Sequence, residues 1–462
     1  MSRGHALNPT TLRAYDIRGV VGETLDAGDA RAVGRAFATM VRARTGGARI
    51  CVGYDGRHSS PALESALVEG LCESGAAVTR IGLGPTPLLY FAVKSLGAEA
   101  GVMVSGSHNP PAHNGLKMTL ASGPFFGDDI QELGRVAAAG AFDDRPGTVA
   151  ERDVMAAYID VLAGAYRADR GLAVAWDSGN GAAGPAMVRL TARLPGRHVL
   201  LCETVDGDFP VHHPDPTVPE NLELLIEAVT GQGLDLGLAF DGDGDRLGVV
   251  DGQGRILWGD QILCLLAADV LAARPGATVI ADVKASQVLF DQIAALGGVP
   301  LMWRTGHSPI KSKMAEVGAP LAGEMSGHIF FADRYYGYDD GLYAGVRLLD
   351  VIARSGRSAA ELRDALPQMV NTPELRFPCE EARKFAVIDE VAARLAAAGA
   401  EVITVDGVRV NTADGWWLLR ASNTQAVLVA RAEARDAAGL GRLKAALADQ
   451  LRRSGVAPPA DL

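Results

Sequence analysis

The sequence predicts an α/β fold: three similar α/β domains followed by a smaller C-terminal α+β domain. Three observations predict it. Short apolar strand-like runs alternate with alanine- and leucine-rich helical stretches through most of the 462 residues, the signature of α/β layers. An apolar run ending in aspartate occurs three times, and roughly forty to sixty-five residues after each comes a second run with a polar, glycine-rich end. Beyond Pro367 that pattern stops.

The length is too great for one core and suits three or four domains of about 100–150 residues each. The boundaries expected are 1–152, 153–254, 255–367 and 368–462. Hydrophobic residues at 48% and charged residues at 21% place the chain among folded rather than disordered proteins. Residues 1–15 lack the apolar core of a secretory signal. No stretch approaches the ~18 uninterrupted apolar residues of a membrane span, so a cytoplasmic location is expected. Cys51, Cys72, Cys202, Cys264 and Cys379 are scattered and never form a C-x-x-C pair. They read as small buried hydrophobes in a reducing compartment rather than disulfides or zinc ligands. The net charge of −11, with no basic tract, argues against nucleic acid or an anionic membrane as partner. A small anionic substrate would require arginine and lysine to be gathered in one cleft.

In the first unit, residues 29–44 and 63–76 carry apolar residues at helical spacing around the run 49–55, which ends at Asp55. Gly101-Val102-Met103-Val104 then leads into Ser105-Gly106-Ser107-His108-Asn109-Pro110. The second unit runs from 172–177 to Phe240-Asp241-Gly242-Asp243-Gly244-Asp245-Arg246, and the third from 278–282 to Gly323-Glu324-Met325-Ser326-Gly327-His328. Ligands of open α/β sheets bind at the carboxyl ends of strands, so the three loops are expected to share a cleft. The tail reads as a helix at 382–398, strands at 401–410 and 416–420, and a helix after Asp436.

The loops carry complementary chemistry. Ser107 stands beside His108 in a tight Gly/Asn/Pro turn after a strand, a setting that presents a side chain outward on a rigid base. The same residues would also suit a plain turn with Ser107 and Asn109 bonded to backbone. Asp241, Asp243 and Asp245 offer hard oxygen ligands that suit Mg²⁺ or Ca²⁺. A calcium EF-hand is excluded, because Arg246 and Gly252 stand where its glycine and closing glutamate belong. A dehalogenase-type nucleophile at Asp241 fits less well, with Asp245 in place of the threonine. Three carboxylates this close repel unless a cation neutralises them. Mg²⁺ typically completes its shell with phosphate oxygen, and a phosphate on Ser107 would tie the first two loops together. Glu324, Ser326 and His328 suit vicinal sugar hydroxyls, and Arg304-Thr305-Gly306-His307-Ser308 is a second compact donor set upstream. Arg420, Ser422, Asn423 and Thr424 follow the apolar run Trp416-Trp417-Leu418-Leu419 and make an anion nest.

Taken together, the four motifs S-G-S-H-N-P, D-G-D-G-D-R, G-E-M-S-G-H and R-x-S-N-T, in that order, resemble those of the α-D-phosphohexomutases, specifically the bacterial phosphomannomutase/phosphoglucomutase branch. The resemblance spans the chain from Tyr15-Asp16-Ile17-Arg18-Gly19 to Arg431-Ala432-Glu433-Ala434. It implies three α/β domains with mixed sheets and a smaller fourth in a heart shape around a central cleft. The activity it implies is reversible phosphate transfer between O1 and O6 of glucose and mannose phosphates, with a hexose 1,6-bisphosphate as intermediate and activator. By resemblance Ser107 is the phosphoserine. Asp241, Asp243 and Asp245 hold one Mg²⁺, with the Ser107 phosphate completing the site. His108 and Lys117 sit beside the phosphoserine, Arg246 meets the transferring phosphate, and His328 is a candidate acid/base. Glu324 and Ser326 hold sugar O3 and O4; Lys284, Gly306 and His307 add substrate contacts. Arg420, Ser422, Asn423 and Thr424 cradle the non-reacting phosphate, and Tyr15 and Arg18 complete the cleft. Small phosphosugars are then the partners, with the protein a monomer or weak oligomer. Two departures stand out: Gln425-Ala426 where the family usually has a polar residue and then proline, and Ser105 where threonine is frequent. A phosphoglucosamine mutase, which favours G-E-Q-S-G-H, and a phosphatase-like hydrolase using Asp241 are the alternative readings. A non-catalytic sugar-phosphate binder is countered by the intact serine, metal loop and histidines.

Overall fold

Ile50, Cys51 and Val52 leave neither face of their strand to water: Arg49–Tyr54 lies inside a sheet and its apolar residues are buried, as a continuous apolar run requires in a parallel sheet. The computed structural model describes residues 4–423, 425–459 and 462. Arg49–Tyr54 is parallel to Ala77–Leu83 on one side and to Ala100–Val104 on the other. His113–Leu120 then returns antiparallel beside Ala100–Val104. Ile17–Val20 and Thr148–Glu151 form the two edges.

The same four-strand order recurs twice. In the second sheet it is Gly196–Leu201, Leu172–Asp177, Leu236–Phe240 and Leu247–Asp251; in the third, Val299–Trp303, Thr278–Asp282, Leu321–Gly323 and Ile329–Phe331. Each time three strands are parallel and the fourth antiparallel. A short loop suffices for an antiparallel return, whereas a parallel one needs a long crossover. The Ser107, Asp241 and Glu324 loops are those three returns, each at the carboxyl end of its third strand. The strand Ile256–Leu257 extends the second sheet past residue 254.

Helix Ala27–Thr45 starts in a capping box between Asp26 and Asp29 and stops at Gly46, whose φ of 78° is left-handed. Helix Ser60–Glu73 ends earlier than the expected residue 76, because Gly75 turns the chain at φ 77°. Of the five cysteines only Cys51 and Cys264 are buried; Cys72, Cys202 and Cys379 are partly exposed, and all are free. Small size alone does not carry a thiol into the core. Among the described residues no helix is long and apolar enough to cross a membrane.

The fourth domain is an antiparallel sheet with helices Glu381–Ala397 and Ala437–Arg453 on one face. The strand Gly415–Ala421 shows the two-residue period of a sheet between two layers. Trp417, Leu419 and Ala421 face the helices, while Trp416 and Leu418 meet Val283 of the third domain. The expected single strand at 401–410 is two, Val402–Ile403 and Val408–Asn411, separated by a turn at Gly407 with φ 80°. One hydrophobic cluster runs through the first three domains, from Phe91 through Tyr158 and Phe240 to Leu342. The fourth keeps its own core. It is fastened to the third by Arg409, which lies 3.7 Å over the Trp416 ring and donates to the Val283 and Ala285 carbonyls at 2.7 and 2.8 Å.

Candidate active site

A buried arginine shapes the Ser107 loop. The Arg57 guanidinium donates to the carbonyl oxygens of Ser107, Asn109, Pro110 and His113 at 2.7, 2.6, 2.6 and 3.0 Å, and its Nε to Asp55 at 3.2 Å. Asp55 in turn accepts from Gly106 N at 2.9 Å. A Cβ on Gly106 would lie 2.3 Å from the Arg57 side chain. Ser107 has φ 50°, a left-handed conformation costing a non-glycine residue about 1–2 kcal/mol. The Arg57 bonds offset that cost. Ser107 Oγ donates to Asp241 Oδ2 at 2.9 Å and lies 3.1 Å from His108 Nδ1. The expected outward display of Ser107 is not what the fold does: the residue is 2% exposed. The second domain covers it. Gly242 packs so closely that a Cβ there would meet the Ser107 carbonyl at 2.3 Å, and His213 Nε2 bonds the His108 carbonyl.

Asp241, Asp243 and Asp245 are fully buried. Lys117, from the strand beside the Ser107 loop, donates to Asp243 at 2.6 Å and to Asp245 at 2.7 Å. Asp243 Oδ2 also accepts from Thr86 Oγ1 at 2.6 Å and Ser105 Oγ at 2.7 Å. Asp241 Oδ1 accepts from the Asp245 and Arg246 amides at 3.1 and 3.2 Å. Burial and the two neighbouring carboxylates push the Asp241 carboxyl well above its ordinary range. Burial opposes the Lys117 charge, but Asp243 and Asp245 outweigh it and hold the ammonium above its ordinary value. The cluster fits a hard divalent cation. Carboxylate oxygens of all three aspartates lie within 4.8 Å of one another, and Asp243 Oδ1 is buried without a hydrogen-bond partner among the described residues. Hard oxygen donors gathered this closely suit such an ion.

The third loop meets this cluster directly. His328 lies 3.1 Å from Asp245 through Nε2 and 3.0 Å from Glu324 through Nδ1. Burial works against its charge, yet Asp245 raises it to about 9. His108 and His307 are displaced the other way, well below the ordinary imidazole range, by burial and by nearby Arg246 and Lys311 respectively. The site thus holds one charged imidazole and two neutral ones near pH 7. Glu324 accepts from the Gly306 amide at 2.6 Å, and Ser326 Oγ is 3.3 Å from His328 Nδ1. Arg246 stands 3.9 Å from both Asp215 and Asp241.

The fourth domain reaches across. Asn423 donates to the Tyr15 hydroxyl at 2.8 Å, and Tyr15 donates to the Thr305 carbonyl at 2.9 Å, joining the fourth, first and third domains. Arg420 and the Thr305 amide both donate to Asp406, at 3.0 Å. Lys284 pairs with Glu374 at 2.9 Å. Ser422 Oγ accepts from the Gln425 amide at 3.2 Å. Thr424 lies outside the described residues. Arg18 donates to Asp16 at 2.7 Å and to the Gly106 carbonyl at 2.8 Å, so it braces the serine loop as well as bordering the site. Sequence reasoning missed Arg57, Thr86, Asp215 and Asp406. Arg57 follows a strand-ending aspartate by two residues, a signal that was available; Asp406 carries none.

A buried serine against a tri-carboxylate cluster, assembled from repeated α/β domains, has the parts that a phosphoryl-transfer enzyme needs. Comparison with known proteins narrows the class. The four descriptions "Phosphoglucomutase/phosphomannomutase, alpha/beta/alpha domain" I, II and III and "C-terminal domain" match residues 9–142, 156–254, 258–370 and 374–450. A phosphomannomutase/phosphoglucomutase of Pseudomonas putida is 45% identical over 97% of this chain and 96% of its own. A phosphoglucomutase of Neisseria gonorrhoeae is 47% identical over 94% of each. The crystal structure of a phosphoglucomutase/phosphomannomutase family protein from Burkholderia thailandensis superposes with a TM-score of 0.92 at 44% identity, covering 97% of this chain and 98% of that one. The chain belongs to the phosphoglucomutase/phosphomannomutase family.

Proposed function

We propose that this chain interconverts the 1-phosphates and 6-phosphates of glucose and mannose through a phosphoserine at Ser107 and a hexose 1,6-bisphosphate. The observation that carries the proposal is the meeting of Ser107 Oγ with Asp241 at 2.9 Å, beside the Lys117–Asp243–Asp245 cluster. Phosphoryl transfer asks mainly for positioning and charge neutralisation. Asp241, Asp243 and Asp245 would hold Mg²⁺, with an oxygen on Ser107 completing the set; bound there, the ion neutralises charge on phosphoryl oxygens. In the forward half-reaction the P–O bond to Ser107 breaks and one to a sugar hydroxyl forms. The sugar hydroxyl gives up its proton and the departing Ser107 oxygen takes one up; His328, held protonated by Asp245, is the candidate acid, and serves as base only after giving up that proton. The bisphosphate then turns end for end, and its other phosphate returns to Ser107. A fourth domain with its own core suits the opening this turn requires, and added hexose 1,6-bisphosphate serves as activator.

A hydrolase using Asp241 as nucleophile is disfavoured. Both oxygens of that carboxyl are engaged, accepting from Ser107 Oγ and from the Asp245 and Arg246 amides. Met325 in the sugar loop favours the hexose branch over the glucosamine one. A cytoplasmic monomer or weak oligomer completes the proposal.

Arg420 is assigned to the phosphate that is not transferred. Losing a charge-assisted hydrogen bond costs roughly 1.5–3 kcal/mol, so Arg420→Ala should raise KM about 10–100-fold for both 1-phosphosugars while kcat falls less. Steady-state kinetics check this; an unchanged KM places the phosphate elsewhere. Glu324 and Ser326, the hydroxyl readers, are assigned to O3 and O4, where glucose and mannose agree. The two kcat/KM values should therefore lie within about a factor of ten, under ~1.4 kcal/mol of discrimination. A preference of several hundredfold would mean that C2 is read as well. The test of the proposal as a whole is mutase assay of both 1-phosphosugars with a catalytic amount of bisphosphate.

A further inference from the structure

Helix Glu381–Ala397 packs against the fourth-domain sheet, and one of its charged side chains turns inward. Lys384 is 1% exposed. Its ammonium has three N–H donors, and it has three partners: the carbonyls of Ser422 and Gln425 at 2.7 and 3.0 Å, and the Glu381 carboxylate at 2.7 Å. Two of these belong to the loop after Arg420. An apolar side chain would fill the same space without the cost of burying an ammonium, so the charge does something that packing does not need.

The geometry of the peptide bond says what. The chain has no cis peptide among its described residues. In a planar trans peptide the carbonyl and the following N–H point to opposite sides. Drawing the Ser422 and Gln425 carbonyls onto Lys384 turns the Asn423 and Ala426 N–H groups away from the helix. Backbone N–H groups turned to one side of a loop, left without an internal acceptor, are donors for an anion. The Asn423 side chain leaves the loop toward Tyr15, across the cleft from the helix.

We propose that Lys384 is a positioning residue of the phosphate site: it holds the Ser422 and Gln425 carbonyls so that the Asn423 and Ala426 N–H groups face the bound phosphate, without touching the substrate. The proposal rests on the assignment of this loop to the non-reacting phosphate.

The test is kinetic. Lys384→Met, Lys384→Gln, Lys384→Arg and Arg420→Ala would be compared for KM and kcat with glucose 1-phosphate and for inhibition by inorganic phosphate. Lys384→Met should raise KM and the phosphate inhibition constant about tenfold, with kcat within about a factor of three. Lys384→Arg, which again offers several donors, should recover most of the loss. Lys384→Gln keeps a polar end but is too short to reach both carbonyls; it should behave like Lys384→Met and decides the matter if that variant does not fold. An effect on Arg420→Ala with none on Lys384→Met or Lys384→Gln overturns the role of Lys384 and leaves the loop assignment standing. No effect on Arg420→Ala overturns the loop assignment itself.

Discussion

Replacing Ser107 with alanine is expected to lower kcat on the order of 10⁴-fold or more, as loss of a covalent nucleophile does, equivalent to about 5 kcal/mol of barrier. The fold should survive. Alanine bears the φ of 50° no worse than serine, and what is lost are the hydroxyl's contacts with Asp241 and His108, about 1–2 kcal/mol. Arg57 reaches the Ser107 loop through backbone carbonyls, so the loop keeps its shape. Kinetics and thermal melting measure the two effects separately. A Ser107→Ala enzyme with near-normal turnover would refute a phosphoserine route.

Asp243→Asn should be nearly as damaging for a different reason. The amide preserves the shape of the side chain. It removes one of three negative charges from a buried cluster whose Oδ1 has no partner among the described residues. Metal stabilisation of phosphoryl transfer is worth several kcal/mol, so kcat should fall on the order of 10³-fold. Chelation of the parent enzyme should reproduce the loss, and Mg²⁺ should reverse it in the parent but only weakly in the variant. Thermal stability should fall modestly, by about 1–3 kcal/mol, because relief of carboxylate repulsion only partly offsets the weakened Lys117 bond. Full activity after exhaustive chelation would contradict the metal assignment.

The parts of this molecule legible in the sequence are those whose signal is local. Leu172–Asp177 and Thr278–Asp282 were readable to the residue, because an apolar run bounded by polar residues is a complete description of a buried strand. The functional loops were legible because glycine, proline and reactive side chains crowd into a few positions. What was not legible is what depends on distant partners. The strand Val427–Ala434 lies inside the fourth sheet, flanked by Gly415–Ala421 and by Val370–Asn371 and Leu375–Pro378, yet Arg431 and Glu433 break its apolar run. Both face the third domain, where Arg431 meets the Lys284 carbonyl and Glu433 accepts from the Gln287 amide at 3.0 Å. Ser107 reads as exposed from its turn alone, since nothing nearby in the chain announces that Gly242 and His213 close over it. Asp406 acquires its importance only when Arg420 and Thr305 are brought to it.

The most direct measurement of the central claim is where phosphate resides after the protein is incubated with Mg²⁺ and glucose 1,6-bisphosphate. Intact-mass spectrometry should show one added phosphoryl group, peptide mapping should place it on Ser107, and chasing with glucose 6-phosphate should remove it as bisphosphate forms. Phosphate found on Asp241, or a Ser107 that stays unmodified in enzyme that turns over, would contradict the account.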